Sequence, residues 1–127
     1  MDIPADLRYS SDHEWIRVDG TTVTIGITEY AQDALGDVVF VEMPDAGRSV
    51  TAGESFSEVE STKSVSDIYA PIAGAVTEVN DALESQPELL NSDPYGAGWI
   101  CRIEITDSSQ LDTLMDADAY RSLTEQT

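Results

Sequence analysis

Turn residues cut this chain into pieces too short for long helices. Asp19-Gly20, Gly36, Pro44, Gly47, Gly53, Pro71, Gly74, Pro94, Gly96 and Gly98 stand between runs rich in Val, Ile, Thr and aromatic residues. Runs of that kind between breaks of that kind read as strands. His13 to Asp19 opens the series, Asp19-Gly20 is a hairpin signal, and Thr21 to Ile27 returns with Val23, Ile25 and Ile27 on one face. Thr28 is placed to cap a short helix through Leu35, Glu29 adds negative charge to its first turn, and Gly36 stops it. Val38 to Met43 reads as a well-buried strand.

Glu54 to Ser61 and Ser64 to Tyr69 form the next two strands. Val59 and Val65 lie three residues either side of Thr62, so Ser61-Thr62-Lys63-Ser64 is the tip of a hairpin. Ala75 to Val79 and Trp99 to Ile105 complete the strands. Asp81 to Leu90 reads as irregular with about one helical turn, and Asn91 to Gly98 as a loop. Ser109 to Leu123 reads as helical, with Leu111, Leu114, Met115 and Leu123 on its apolar side and Asp107, Ser108 or Ser109 as its cap. Many short strands, one internal helix and a helical end predict a mainly β fold, a compact sandwich or barrel. Trp15, Phe40, Tyr95 and Trp99 are expected to pack it. A weak repeat runs through the middle: Gly36-x-Val38-x-x-Val41 recurs as Gly74-x-Val76-x-x-Val79, and Gly53 to Phe56 loosely echoes Gly98 to Cys101. It suggests two similar strand sets related by a pseudo-twofold axis, with the Lys63 hairpin at their junction.

Charge narrows the possible partners. The 127 residues include 25 acidic and 6 basic side chains, a formal net charge of -19. Such a chain repels phosphate backbones and anionic membrane surfaces, so neither nucleic acid nor membrane is expected as a partner. Self-repulsion of this size is tolerable when salt screens it, which points to a salt-loving source cell. Five of the basic residues are Arg8, Arg17, Arg48, Arg102 and Arg121, leaving Lys63 as the one lysine. Cys101 is the one cysteine, so no intrachain disulfide forms, in keeping with a reducing cytoplasm. Its setting, Trp99-Ile100-Cys101-Arg102-Ile103, reads as a strand that buries a small thiol. Met1 to Asp6 lacks the basic and apolar segments of a signal peptide, and no stretch approaches membrane-spanning length.

Little in the chain supports catalysis. One histidine, His13, and one cysteine are too few for a zinc site, the carboxylates do not fall at calcium-loop spacing, and no glycine-rich phosphate loop precedes a helix. A carboxylate pair for acid-base work is open to any acidic protein, although most of these side chains are better read as a solvated face. Lys63 leaves two options. A Schiff-base lysine needs a dry pocket that disfavours its charge. A tip flanked by Ser61, Thr62 and Ser64 is polar and open, and suits a lysine that another enzyme modifies.

Glu58-Val59-Glu60-Ser61-Thr62-Lys63-Ser64-Val65-Ser66-Asp67 resembles the lipoylation segment of the glycine cleavage system H proteins. His13-Glu14-Trp15, Thr24-Ile25-Gly26-Ile27-Thr28, Ala31-Gln32, Leu35 to Val41, Ala70-Pro71-Ile72-Ala73-Gly74 and Asn91 to Trp99 are similar to further segments of that family, in order and over most of the chain. Lipoyl domains of 2-oxoacid dehydrogenases usually carry Asp before and Ala after the lysine, and biotin carriers Met on both sides. Thr62 and Ser64 fit the H-protein pattern instead, where these neighbours vary.

The resemblance implies one carrier domain over residues 1–127, with a β core over 8–106 and a C-terminal helical segment over 108–124. Its fold would be a flattened barrel-sandwich hybrid of two antiparallel sheets, like the biotinyl and lipoyl carriers. It implies a non-catalytic, cytoplasmic, monomeric carrier with lipoate joined to Lys63 by a lipoate-attaching enzyme. Glycine decarboxylase would load an aminomethyl group onto the arm. A tetrahydrofolate-dependent aminomethyltransferase would take it up, and dihydrolipoamide dehydrogenase would reoxidise the dithiol. A tether of this kind raises the effective concentration of the intermediate at each partner. Glu60, Ser61, Thr62, Ser64 and Asp67 would mark the site for modification, Glu60 and Asp67 through their charge. Because the loaded group is labile in water, the arm is expected to fold back against the carrier, with His13, Glu14 and Asp67 as candidate contacts. The plainer reading of each acid is a solvated surface group, and of His13 a structural hydrogen bond. A related carrier that delivers lipoate to other complexes, and a small acidic enzyme acting through Lys63, remain as alternatives.

Overall fold

The computed structural model describes residues 3–125. Met1 and Asp2, the first two residues of the segment read as lacking a signal peptide, lie outside them, as do Gln126 and Thr127. The chain order is β1 (Arg8–Tyr9), β2 (Glu14–Asp19), β3 (Thr22–Ile27), α1 (Glu29–Leu35), β4 (Val38–Glu42), β5 (Ser49–Val50), β6 (Ser55–Ser61), β7 (Val65–Tyr69) and β8 (Gly74–Val79). Two single-turn helices follow, α2 (Ala82–Ser85) and α3 (Leu89–Ser92), then β9 (Cys101–Glu104), a 3-10 helix over Ser108–Thr113 and α4 (Ala117–Glu125). The strands form two antiparallel sheets, one of order β1-β2-β3-β9-β8-β5 and one of order β4-β6-β7. This is the mainly β, two-sheet architecture expected, without closure into a barrel.

The β2–β3 hairpin shows why local sequence suffices for much of it. Asp19 pairs with Thr22 across the turn, and Gly20 takes φ +65°, a conformation that costs glycine nothing. Val23, Ile25 and Ile27 then all fall on the core side and are buried. They meet Val41, Val59 and Phe56 of the smaller sheet in one apolar cluster. A second cluster, built on Tyr9, Trp15 and Tyr120, joins the start of the chain to α4. Cys101 is fully buried in β9, and burial pushes its thiol up to about 12.

Four expectations need correction. Val38 to Met43 is only half buried: Val38 and Val41 point inward, whereas Val39 and Phe40 are each 52% exposed. The cause is an edge strand with a bulge between Val38 and Phe40, which turns both side chains outward and removes Phe40 from the core. Trp15 is fully buried as expected, while Tyr95 and Trp99 lie half-buried at its margin. The segment before β9 holds two helical turns, and α3 covers Asn91 and Ser92, which had read as loop. The C-terminal segment is not one helix. Asp107 caps the 3-10 turn by accepting from the Ser109 N–H, the chain straightens at Leu114, and Met115 forms a bridge to Tyr9 before α4 begins. Pairing with Tyr9 takes the Met115 backbone out of any helix. The two-residue strands β1 and β5 carry too little pattern to have been read.

The repeat is real in its first half. β4 is bulged between Val38 and Phe40 against β6, and β8 between Val76 and Glu78 against β9, the same two positions of the repeated motif. Its second half fails: Val41 faces Val59 and its counterpart Val79 faces Cys101, so Phe56 is not the equivalent of Cys101. Among the described residues no helix is long and apolar enough to cross a membrane.

Candidate functional site

The β6–β7 hairpin ends on Glu60 paired with Val65, and Ser61 closes the turn beyond it. The Ser61 N–H donates to the Ser64 carbonyl at 2.9 Å. Its buried hydroxyl accepts the N–H groups of both Lys63 and Ser64 at 3.2 Å and donates to the Ser64 carbonyl. One side chain thus satisfies the donors that a tight turn leaves open. The Thr62 N–H donates to the Asp37 carbonyl at 3.0 Å, which pins the tip to the chain entering β4. Thr62, Lys63 and Ser64 are exposed on this fixed support. Ser61 is not: its hydroxyl is spent inside the turn, so it can serve recognition only by shaping the tip.

The aliphatic stem of Lys63 lies across Gly36, where a Cβ would stand 3.2 Å from its Cε. Gly36 also takes φ +84° at the end of α1, so the helix terminator doubles as a flat seat for the lysine. Among the described residues the ion pairs are Arg48–Glu54 and Arg102–Glu78, and neither involves Lys63.

A cleft of about 180 Å³ lies between α1, β7 and the turn between β1 and β2. One wall is the face of α1 that presents Tyr30, Ala31, Ala34 and Leu35, the residue before Gly36. Ser66, Asp67 and Ile68 of β7 form another, and Asp12 and His13, with Ile27, close it. The lining is mostly apolar with carboxylates at the rim. Asp67 is exposed and accepts from the Ser55 hydroxyl at 3.2 Å.

The structure brings His13 and Asp67 to this cleft and leaves Glu14, the next residue after His13, out of its lining. Glu14 is 1% exposed, which rules out the plainer reading of a solvated acid. The Ser10 hydroxyl donates to its Oε1 at 2.6 Å. Burial pushes the carboxyl up to about 7, opposed by that hydrogen bond, aided by the Asp12 charge and opposed by the Tyr69 backbone. His13 stands at φ +68°, stacks on Tyr30 at 4.5 Å and places Nδ1 2.8 Å from the Tyr120 hydroxyl. Burial lowers its pKa, against the Asp12 charge, so the neutral ring is favoured. Its side-chain partner comes from α4, which bears out the plainer reading of a structural hydrogen bond. The Tyr120 hydroxyl also meets Thr28 Oγ1 at 2.7 Å, and Thr28 accepts the Ala31 N–H as the cap of α1. Burial pushes the Tyr120 phenol up to about 12.

Sequence reasoning did not find Asp12, the α1 wall or Tyr120. The i, i+1, i+4, i+5 spacing of Tyr30, Ala31, Ala34 and Leu35 was a usable signal for the wall. Nothing local marks Tyr120. Among the described residues no three His, Cys, Asp or Glu side chains gather as a metal site.

Residues 7–127 match the family model described as glycine cleavage H-protein. A glycine cleavage system H protein of Mycobacterium tuberculosis is 61% identical over 132 aligned positions, with 98% of each chain covered. A probable glycine cleavage system H protein of Haloarcula marismortui is 58% identical over 125 positions, again with 98% of each covered. The crystal structure of a glycine cleavage system H protein from Mycobacterium marinum superimposes with a TM-score of 0.89 at 44% identity, covering 97% of this chain and 99% of that one.

Proposed function

The chain belongs to the glycine cleavage H-protein family, and from that premise we propose that lipoate is attached to Lys63 and carried by it as a swinging arm. The chain is a non-catalytic component of glycine cleavage, acting with the other components of that system. The observation that carries the reading is the Ser61-closed turn, which holds the single lysine exposed, without an ion pair, on two rigid strands. An attaching enzyme needs an amine it can reach and a backbone that does not yield, and this turn supplies both.

Lipoate, when bound, supplies the disulfide and dithiol chemistry that takes up and releases a one-carbon amine. The protein's own part is positional. The Lys63 stem rests on Gly36, the residue after Leu35 of a cleft whose apolar wall suits an alkyl chain and whose rim carries Asp12 and Asp67. A cationic amine docked there would face two carboxylates. Neutral His13 adds no repulsion. Docking in this cleft would keep water from a labile cargo between partners. Glu60, Thr62 and Ser64 are exposed beside Lys63 and, with Asp67, offer the attaching enzyme its first contacts. The partners proposed are glycine decarboxylase, the aminomethyltransferase, dihydrolipoamide dehydrogenase and the attaching enzyme. The reading takes residues 1–127 as one monomeric domain working in the cytoplasm of a salt-loving cell.

Intact-mass measurement of protein incubated with a lipoate-attaching enzyme, ATP and lipoate tests it. One lipoyl adduct per chain is expected, absent from Lys63→Arg, along with glycine–bicarbonate exchange by glycine decarboxylase that depends on the modified chain. An adduct at another residue, or exchange supported by Lys63→Arg, would refute the assignment.

A further inference from the structure

Five large apolar residues are exposed among the described residues, and four of them, Val39, Phe40, Val65 and Tyr69, lie on β4 and β7, the edges of the smaller sheet. Phe40 pairs with Glu60 and Glu60 with Val65, so these three form one row across the sheet, the last before the Lys63 turn. The bulge sets Val39 beside that row. The next row on the same face is Glu42, Glu58 and Asp67, three carboxylates with no ion pair.

We propose that this face docks the lipoate-attaching enzyme, with Phe40, Val39 and Val65 seated in an apolar recess of a cationic surface. The inference rests on Lys63 being the attachment site. In a chain of net charge -19, exposed apolar side chains gathered beside the one lysine need a partner to cover them. Reach identifies which partner. The attaching enzyme forms an amide at Nζ itself: the amine attacks the carbonyl of the lipoyl adenylate made from lipoate and ATP, loses a proton and expels AMP. Its active site must therefore come within one side chain's length of the turn. The lysine stem lies back on Gly36, which draws that site closer still to β4. Enzymes that act at the far end of the finished arm meet the carrier a full lipoyl chain further out. The carboxylate row selects a basic surface by charge complementarity, and an apolar centre with a polar rim is the usual plan of a protein interface.

The test is the initial rate of lipoyl transfer onto the folded full-length chain by a purified attaching enzyme, read by intact mass. Phe40→Ser with Val65→Thr should raise KM about tenfold or more with kcat within about twofold, as expected for truncated anchor residues. Phe40→Leu should keep KM within about threefold, because most of the apolar contact survives. Uncatalysed acetylation of Lys63 and the thermal midpoint should match the parent, showing that the lysine and fold are intact. A KM within twofold of the parent in the double variant overturns the proposal. So does normal attachment with a fall in glycine–bicarbonate exchange by the fully lipoylated variant, which would give the face to the decarboxylase. Failure of the parent itself to gain an adduct at Lys63 would instead overturn the attachment reading beneath it.

Discussion

Glu14→Gln should make the protein more stable at neutral pH while flattening its pH dependence. Glu14 is 1% exposed, and burial raises its carboxyl from an ordinary 4.5 to about 7. A raised folded-state value means that the fold prefers the protonated acid. Stability from this group is therefore complete below pH 4.5 and is lost as pH rises through about 7. At about 1.4 kcal/mol per pH unit the loss comes to about 3 kcal/mol by pH 8. Glutamine keeps the shape and the acceptor that Ser10 uses but never ionises. It gives back roughly 1 kcal/mol where the amide meets the Tyr69 backbone less well. The expected gain at pH 8 is thus about 2 kcal/mol, or roughly 1 M in the urea midpoint, with no gain near pH 4.5. Buried Trp15 provides the fluorescence signal, and molar potassium chloride screens the remaining charge so that the difference isolates one carboxyl. Parallel stability curves for parent and variant from pH 4.5 to 8 would show that Glu14 does not titrate in the fold as described.

Three further outcomes follow from the same geometry. Tyr120→Phe removes the hydroxyl shared by His13 and Thr28 and should cost about 1–3 kcal/mol in urea unfolding; the lone histidine's ring-nitrogen NMR signals should shift with it, and unchanged signals would deny the contact. Gly26→Ala would set a Cβ 2.6 Å from the Trp15 indole, so a loss of about 1–3 kcal/mol is expected, read as a lowered thermal midpoint. Raising potassium chloride from dilute to molar should lift the parent's thermal midpoint by roughly 6–10 °C, equal to about 2 kcal/mol, because a net charge of -19 meets only the Arg48–Glu54 and Arg102–Glu78 ion pairs among the described residues. An unchanged midpoint would remove the salt argument.

Elements fixed by neighbours in the chain were legible without coordinates. Asp19-Gly20 made a hairpin because its turn chemistry is local, Thr28 capped α1 through a bond to a residue three positions on, and the Lys63 tip followed from Ser61 reaching Ser64. The proposal of Lys63 as the attachment site needed composition together with the resemblance of its segment, since no other lysine exists to carry an arm. What escaped was whatever two distant segments decide together. Phe40 read as core because its apolar neighbours suit a buried strand, yet β4 ends as an edge with a bulge, and a sheet's edge depends on which strands pair. Met115 left its helical pattern because Tyr9 offered its backbone a partner. Glu14 looked like one carboxylate among 25 acidic residues until Ser10 and β7 enclosed it, for burial belongs to the packing around a residue and not to the residue. The cleft is the clearest case: its walls come from the β1–β2 turn, α1 and β7, and only the folded chain puts an apolar helix face, a neutral histidine and two carboxylates around one space.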